Sequence, residues 1–176
     1  MLTQLVEDLM TMMEVEAAQM EEQPTDLVAL VNTALADFQV NANQAGLQLT
    51  ADIAPGEIVI TGDALKLRRV LDNLIGNALK FTSQGGTITL RLYDTATDAI
   101  LEISDTGIGI PEDKLERVFE RFYQVDGSMK RRYGGTGLGL ALVKEIIQAH
   151  KGQVIAQSWP NQGTTFRITL PKREST

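Results

Sequence analysis

Apolar residues recur along this chain at two different spacings, and the switches between them mark out helices and strands. Val70, Leu71, Leu74, Ile75, Ala78 and Leu79 lie three or four positions apart, which predicts a helix through the stretch LDNLIGNALKFT, residues 71–82. Asp63, just ahead of it, is suited to cap its start. The same spacing of Leu2, Leu5, Val6, Leu9, Met12, Met13 and Val15 predicts a helix from residue 1 to about 22, with an apolar stripe wide enough to want a partner. Gln23-Pro24-Thr25-Asp26 interrupts it, because proline disfavours a continuous helix while Thr25 or Asp26 can cap the next one, Leu27 to Ala45, with Gly46 as its stop. Elsewhere the period is two. Residues 47–53, 57–61, 87–93, 99–104, 153–158 and 164–170 read as strands, with hairpins about Asp94–Asp98 and Pro160–Gly163. A last helix ends near His150. Helices and antiparallel strand pairs come in separate runs, so the expected class is α+β: a mixed, mostly antiparallel sheet covered on one face by helices, preceded by an N-terminal helix.

Composition narrows the field. The chain has 176 residues, 43% of them apolar and 22% charged, which suits one soluble globular domain with a short appendage. A formal charge of −7 argues against nucleic acid as the main partner. With no cysteine, disulfides, thiolate nucleophiles and zinc–sulfur sites are excluded, and one histidine leaves no histidine metal cluster. Neither a signal peptide nor an apolar run long enough to cross a bilayer is found.

The helical period places Asn73, Asn77 and Lys80 along one flank of the 71–82 helix. Amide oxygens are hard, neutral ligands for Mg²⁺, and a lysine is a point charge for phosphate oxygens. By itself this pattern is equally the polar face of a surface helix. Asp105-Thr106-Gly107-Ile108-Gly109-Ile110-Pro111 follows a strand, placing a carboxylate at its end and glycines where backbone can approach a ligand closely. Arg131-Arg132-Tyr133-Gly134-Gly135-Thr136-Gly137-Leu138-Gly139-Leu140 then runs a glycine-rich loop into the last helix, an arrangement that exposes amides to an anion. Neither G-x-x-x-x-G-K-[ST] nor G-x-G-x-x-G after a first strand is present.

Taken together, Asn73 to Lys80, Asp105 to Gly109, Phe119-Glu120-Arg121-Phe122, Gly135 to Gly139 and Gly163-Thr164 resemble, in order, the N, G1, F, G2 and G3 boxes of sensor histidine kinases. The likeness covers residues 27–171. LVEDLMTMMEVEAAQM resembles the end of the second helix of that family's dimerisation and phosphoacceptor domain. The resemblance implies the Bergerat sandwich and a division into 1–22, the truncated end of that helical domain; 23–26, a linker; 27–172, the ATP-binding catalytic domain; and 173–176, a tail.

It also implies ATP and Mg²⁺ as cofactors and assigns roles to residues. Asn77 would ligate the metal, and with Lys80 would carry the catalytic role. Asn73 and Lys80 would contact phosphates or ordered water. Asp105 would accept from the adenine amine, with Gly107 and Gly109 shaping its loop. Ile110 and Tyr123 would border the nucleotide, and Thr136, Gly137, Leu138, Gly139 and Leu140 would hold the phosphates. Thr164 would support the adenine through a water. Residues 124–136, with Lys130, Arg131 and Arg132, would form a mobile lid. Gln124 stands where some relatives carry a phosphate-contacting arginine. Asn73 stands where hydrolysing relatives carry a water-activating glutamate, and an amide cannot take that proton.

The implied function is presentation of the γ-phosphoryl of Mg·ATP to a histidine on a dimerisation domain, for relay to a response regulator aspartate. The implied parent is a homodimer with its kinase part in the cytoplasm, membrane-anchored or not. His150 reads as a helix-end residue interacting with the helix dipole, not as the phosphoacceptor. A regulatory nucleotide-binding module and an anti-sigma-type serine kinase on the same fold stay open as alternatives.

Overall fold

The computed structural model describes residues 19–125 and 135–172, together with Thr3, Val6, Leu9, Met10 and Met13, which are helical and exposed. Three longer helices follow: α1 (Leu27–Gln44), α2 (Ala64–Phe81) and α3 (Gly139–Ala149). The strands are β1 (Gln23–Asp26), β2 (Gln48–Ile53), β3 (Val59–Gly62), β4 (Thr87–Asp94), β5 (Asp98–Asp105), β6 (Gln153–Trp159) and β7 (Gly163–Pro171). A five-stranded sheet runs β2-β4-β5-β7-β6, with only the β2–β4 pair parallel, so it is mixed and mostly antiparallel as expected.

Alternation decides which face meets the helices. Ile88, Leu90 and Leu92 of β4, Ala99, Leu101 and Ile103 of β5, and Phe166, Ile168 and Leu170 of β7 are buried in one core with Leu71, Leu74 and Ile75 of α2 and Val143, Ile146 and Ile147 of α3. On the other face one rung alternates in charge, Asp52, Arg91, Glu102 and Arg167 being cross-strand neighbours. Glu102 is buried there, and Arg167 holds it at 2.6 Å.

Caps fix where the helices begin. Asp26 accepts from the Val28 N–H at 2.9 Å, and Asp63 accepts from the Lys66 N–H at 3.1 Å. Two boundaries differ from expectation. Residues 19–22 are not helical, and 23–26, expected as a linker, forms β1, antiparallel to β3. Pro24 ends helical continuation, while Thr25 is buried and donates its hydroxyl to Gly62 O at 3.0 Å, which draws the segment onto β3. Residues 126–134, with Lys130, Arg131, Arg132 and Gly134 of the expected lid, and the tail 173–176 lie outside the described residues.

His150 stands at the end of α3, as expected. It caps α3, but as a buried, neutral imidazole: Nδ1 lies 2.7 Å from Ile146 O, which can only accept, and Nε2 accepts from the Asp63 N–H at 2.9 Å. This tautomer ties the end of α3 to the start of α2. Burial pushes the His150 pKa down, against the opposing bond to Ile146 and the charges of Asp63 and Glu22. A histidine with a lowered folded pKa contributes its stability in full above the unfolded value of about 6.5, and loses it as pH falls from there through the folded value. Denaturation midpoints are therefore expected to drop between neutral pH and the mildly acid range. His150→Gln should flatten that part of the profile, and an unchanged slope in the variant would assign the drop to other groups.

Candidate active site

Beside α2 and the start of α3 lies a cavity of about 300 Å³. Asn73, Asn77, Lys80 and Phe81 line it from α2, Asp105 and Ile108 to Ile110 from the end of β5, and Thr164 and Phe166 from β7. Tyr123 to Val125, Gly135 to Gly137, Gly139 and Leu140 close another side. Twelve of the fourteen residues expected at a ligand therefore converge: Asn73, Asn77, Lys80, Asp105, Gly109, Ile110, Tyr123, Thr136, Gly137, Gly139, Leu140 and Thr164. Gly107 and Leu138 are not on the lining. Gly107 instead donates its N–H to Asp105 Oδ1 at 2.8 Å, and Leu138 is buried in the core, its N–H 3.3 Å from Thr136 Oγ1.

One end of the cavity is built from the ends of three strands. Asp105 pairs with Thr164, and Thr164 with Ser158, across β5, β7 and β6. The Thr164 N–H reaches Asp105 Oδ1 at 3.3 Å, so both backbone donors fall on one oxygen of the carboxylate. Burial pushes the Asp105 pKa up, and the N–H groups of Gly107 and Thr164 oppose it. Close approach of backbone here requires glycine at two positions. A Cβ on Gly163, at φ 89°, would sit 1.8 Å from Asp105 O, and one on Gly109, at φ 71°, would sit 2.0 Å from Trp159 O.

Another wall is the polar flank of α2. Asn73 donates through Nδ2 to Arg69 O at 2.9 Å, which turns Oδ1 toward α3, where a Cβ on Gly139 would come within 2.6 Å of it. Lys80 Nζ lies 5.2 Å from the Phe81 ring centroid, and burial pushes its pKa down. A Cβ on Gly135 would approach Lys80 Nζ to 2.9 Å, so the glycine-rich loop lies against the ammonium. That loop is held at both ends: Gln124 Nε2 donates to Gly135 O at 2.9 Å, and the Phe122 N–H donates to Gly137 O at 2.9 Å. Arg117 stacks over the Tyr123 ring at 4.4 Å, and Arg121 pairs with Glu145 of α3 at 2.6 Å.

Residues 62–174 match the family model of the histidine kinase-, DNA gyrase B-, and HSP90-like ATPases. The chain belongs to this ATPase family. Its relatives include the circadian input-output histidine kinase CikA of Synechococcus elongatus, 38% identical over 98% of this chain and 23% of that protein. The sensor histidine kinase WalK of Bacillus subtilis is 36% identical over 97% of this chain and 28% of that protein. The chain thus spans about a quarter of the length of these relatives. Among solved structures, the catalytic domain of histidine kinase ThkA superposes with a TM-score of 0.77 at 25% identity, covering 87% of this chain and 97% of that one. ShkA, solved with AMPPNP, superposes with a TM-score of 0.85 at 27% identity, over 99% of this chain and 37% of that one. These likenesses place the chain with the ATP-binding catalytic domains of sensor histidine kinases, ahead of the regulatory-module and anti-sigma alternatives.

Within this ATPase domain the cavity also has an apolar lining that sequence reasoning missed. Ile108, Val118, Val125, Phe166 and Phe81 all border it. Phe166 meets Phe119 edge to face at 6.1 Å between centroids. In the sequence Phe166 is one inward position of an alternating strand, indistinguishable from core, and Val118 has no periodic partner. The available signal was the F-box likeness around Val118, which placed that segment near the site.

Proposed function

We propose that the chain binds Mg·ATP in this cavity and presents the γ-phosphoryl to a histidine supplied by a dimerisation and phosphoacceptor domain, for onward transfer to a response regulator aspartate. The observation that carries this reading is the mixed lining of the cavity: the half-buried Asp105 carboxylate beside Thr164 where β5 and β7 pair, Asn73, Asn77 and Lys80 on α2, and the apolar Ile108, Ile110, Val118 and Phe166. A flat base with an amino group suits the carboxylate and the apolar side chains, and a metal-bound polyphosphate suits the amides and the lysine of α2.

Each residue then has a task. Asp105 accepts from the adenine amine, a carbonyl in that place being repelled. Ile110, Val118 and Phe166 cover the ring, and Tyr123 borders it. Asn77 offers the metal an amide oxygen, and Lys80 and Asn73 face the phosphates. The amide oxygen of Asn77 is the kind of hard, neutral donor that would hold such an ion. The metal would neutralise phosphate charge when bound, and Asn73, lacking a basic carboxylate, leaves water unactivated. Gly137 and Gly139 bring backbone amides to the phosphates, with Thr136, Leu138 and Leu140 completing the loop, and Gly107 and Gly109 shape the base end.

In this reading residues 1–22 are the end of a dimerisation and phosphoacceptor domain, whose exposed Val6, Leu9, Met10 and Met13 would pack in a homodimer, and 27–172 is the catalytic unit on the cytoplasmic side. Asp105→Asn tests the base end: calorimetric titration with ATP should show a loss of about 1.5–3 kcal/mol, the worth of a hydrogen bond to a charged group. Unchanged affinity would make Asp105 a turn residue and move the base elsewhere.

A further inference from the structure

Behind Thr164 sits a hydroxyl that the proposed function does not use. Ser158, buried at 4% exposure, has three polar neighbours: the Ile110 N–H at 2.7 Å, Gly163 O at 2.8 Å and Thr164 Oγ1 at 2.8 Å. A backbone N–H can only donate and a carbonyl can only accept, whereas Ser158 has one proton. All three contacts are satisfied together in one arrangement alone. Ser158 donates to Gly163 O and accepts from Ile110, so the Thr164 hydroxyl must donate to Ser158. Thr164 Oγ1 is left with lone pairs only.

We propose that Ser158 is a specificity-determining residue: by fixing the Thr164 hydroxyl as an acceptor beside Asp105, it selects bases that present an amino group and excludes those that present a carbonyl. This rests on the adenine reading of the cavity. Thr164 and Asp105 both line that end of the cavity, and Asp105 carries its two backbone donors on Oδ1. The base therefore meets acceptors from two strands at once. Without Ser158, the Thr164 proton is free to turn toward the ligand, and a 6-oxo base gains a donor where it met a lone pair. Ser158 thus acts through Thr164, without touching the nucleotide.

The test compares Kd for Mg·ATP and Mg·ITP, which differ at the 6-position amino group, by calorimetry on the whole chain. Ser158→Ala should narrow the preference for ATP by about tenfold or more, since a buried polar group that gains or loses its match shifts discrimination by at least that much. Thr164→Val, which removes the lone pairs without supplying a donor, should narrow it less. Thr164→Ser, which keeps the hydroxyl and its bond to Ser158, should keep the preference. If Ser158→Ala weakens both nucleotides equally, Ser158 is only a structural tie and the proposal fails. Should that variant not fold, an unchanged preference in Thr164→Val overturns it equally. Failure of the unaltered chain to bind ATP would instead sink the adenine reading itself.

Discussion

Asn77→Ala is expected to abolish the Mg²⁺-dependent part of nucleotide affinity, on the order of a hundredfold, while leaving the fold intact. Asn77 lines the cavity one helical turn from Asn73 and three residues before Lys80, and its side chain makes no hydrogen bond among the described residues. Nothing structural is lost with it, and alanine is the best helix former for the interior of α2. The metal would lose the amide oxygen of Asn77, since Lys80 can only donate, Asn73 Oδ1 is turned toward Gly139 and Asp105 pairs with Thr164. Titrations of ATP with and without Mg²⁺ should give two separate curves for the unaltered chain and one for the variant, with equal thermal midpoints. A Mg²⁺ dependence that survives in the variant removes Asn77 from the metal site.

That the α2 flank was legible in advance has a simple cause. Its three polar residues are neighbours through the helical period, so sequence spacing and spatial spacing coincide. Hairpin β4–β5 and the β6–β7 pair were legible for the same reason, alternation being local. What failed to show was whatever depends on partners far along the chain. β1 read as a break because Pro24 and Asp26 are breakers in isolation; its strand conformation comes from Thr25 reaching Gly62 across 37 positions. The neutral state of His150 depends on Asp63, 87 positions away. Gly109 read as a place where backbone approaches a ligand and Gly163 as a hairpin residue, but their necessity lies in the carbonyls of Trp159 and Asp105, which no local pattern announces. The Ser158 relay joins two strands to the loop after β5, so alternation placed Ser158 on a strand without revealing its partners.

The chain is expected to bind ATP and yet leave itself unlabelled by the γ-phosphate. Its sequence holds one histidine, and that residue is 5% exposed, with both ring nitrogens engaged. A nucleophile must offer a free lone pair in line with the phosphorus, and the lone pair on Nε2 is already bound to the Asp63 N–H. Hydrolysis should be slow as well, because Asn73 faces Gly139 with an amide in place of a base. Phosphoryl transfer depends chiefly on positioning and charge neutralisation, so a second domain can supply the nucleophile while this one supplies the held nucleotide. With radiolabelled ATP the chain alone should carry negligible label. Adding a separate dimerisation domain with its histidine should place label on that domain, at a rate well below that of a tethered pair, since a linker normally supplies an effective concentration in the millimolar range. Asn77→Ala should abolish that transfer. Acid-labile label on His150 of the isolated chain would overturn the account, because the imidazole would have to leave both Asp63 and the core to reach the cavity.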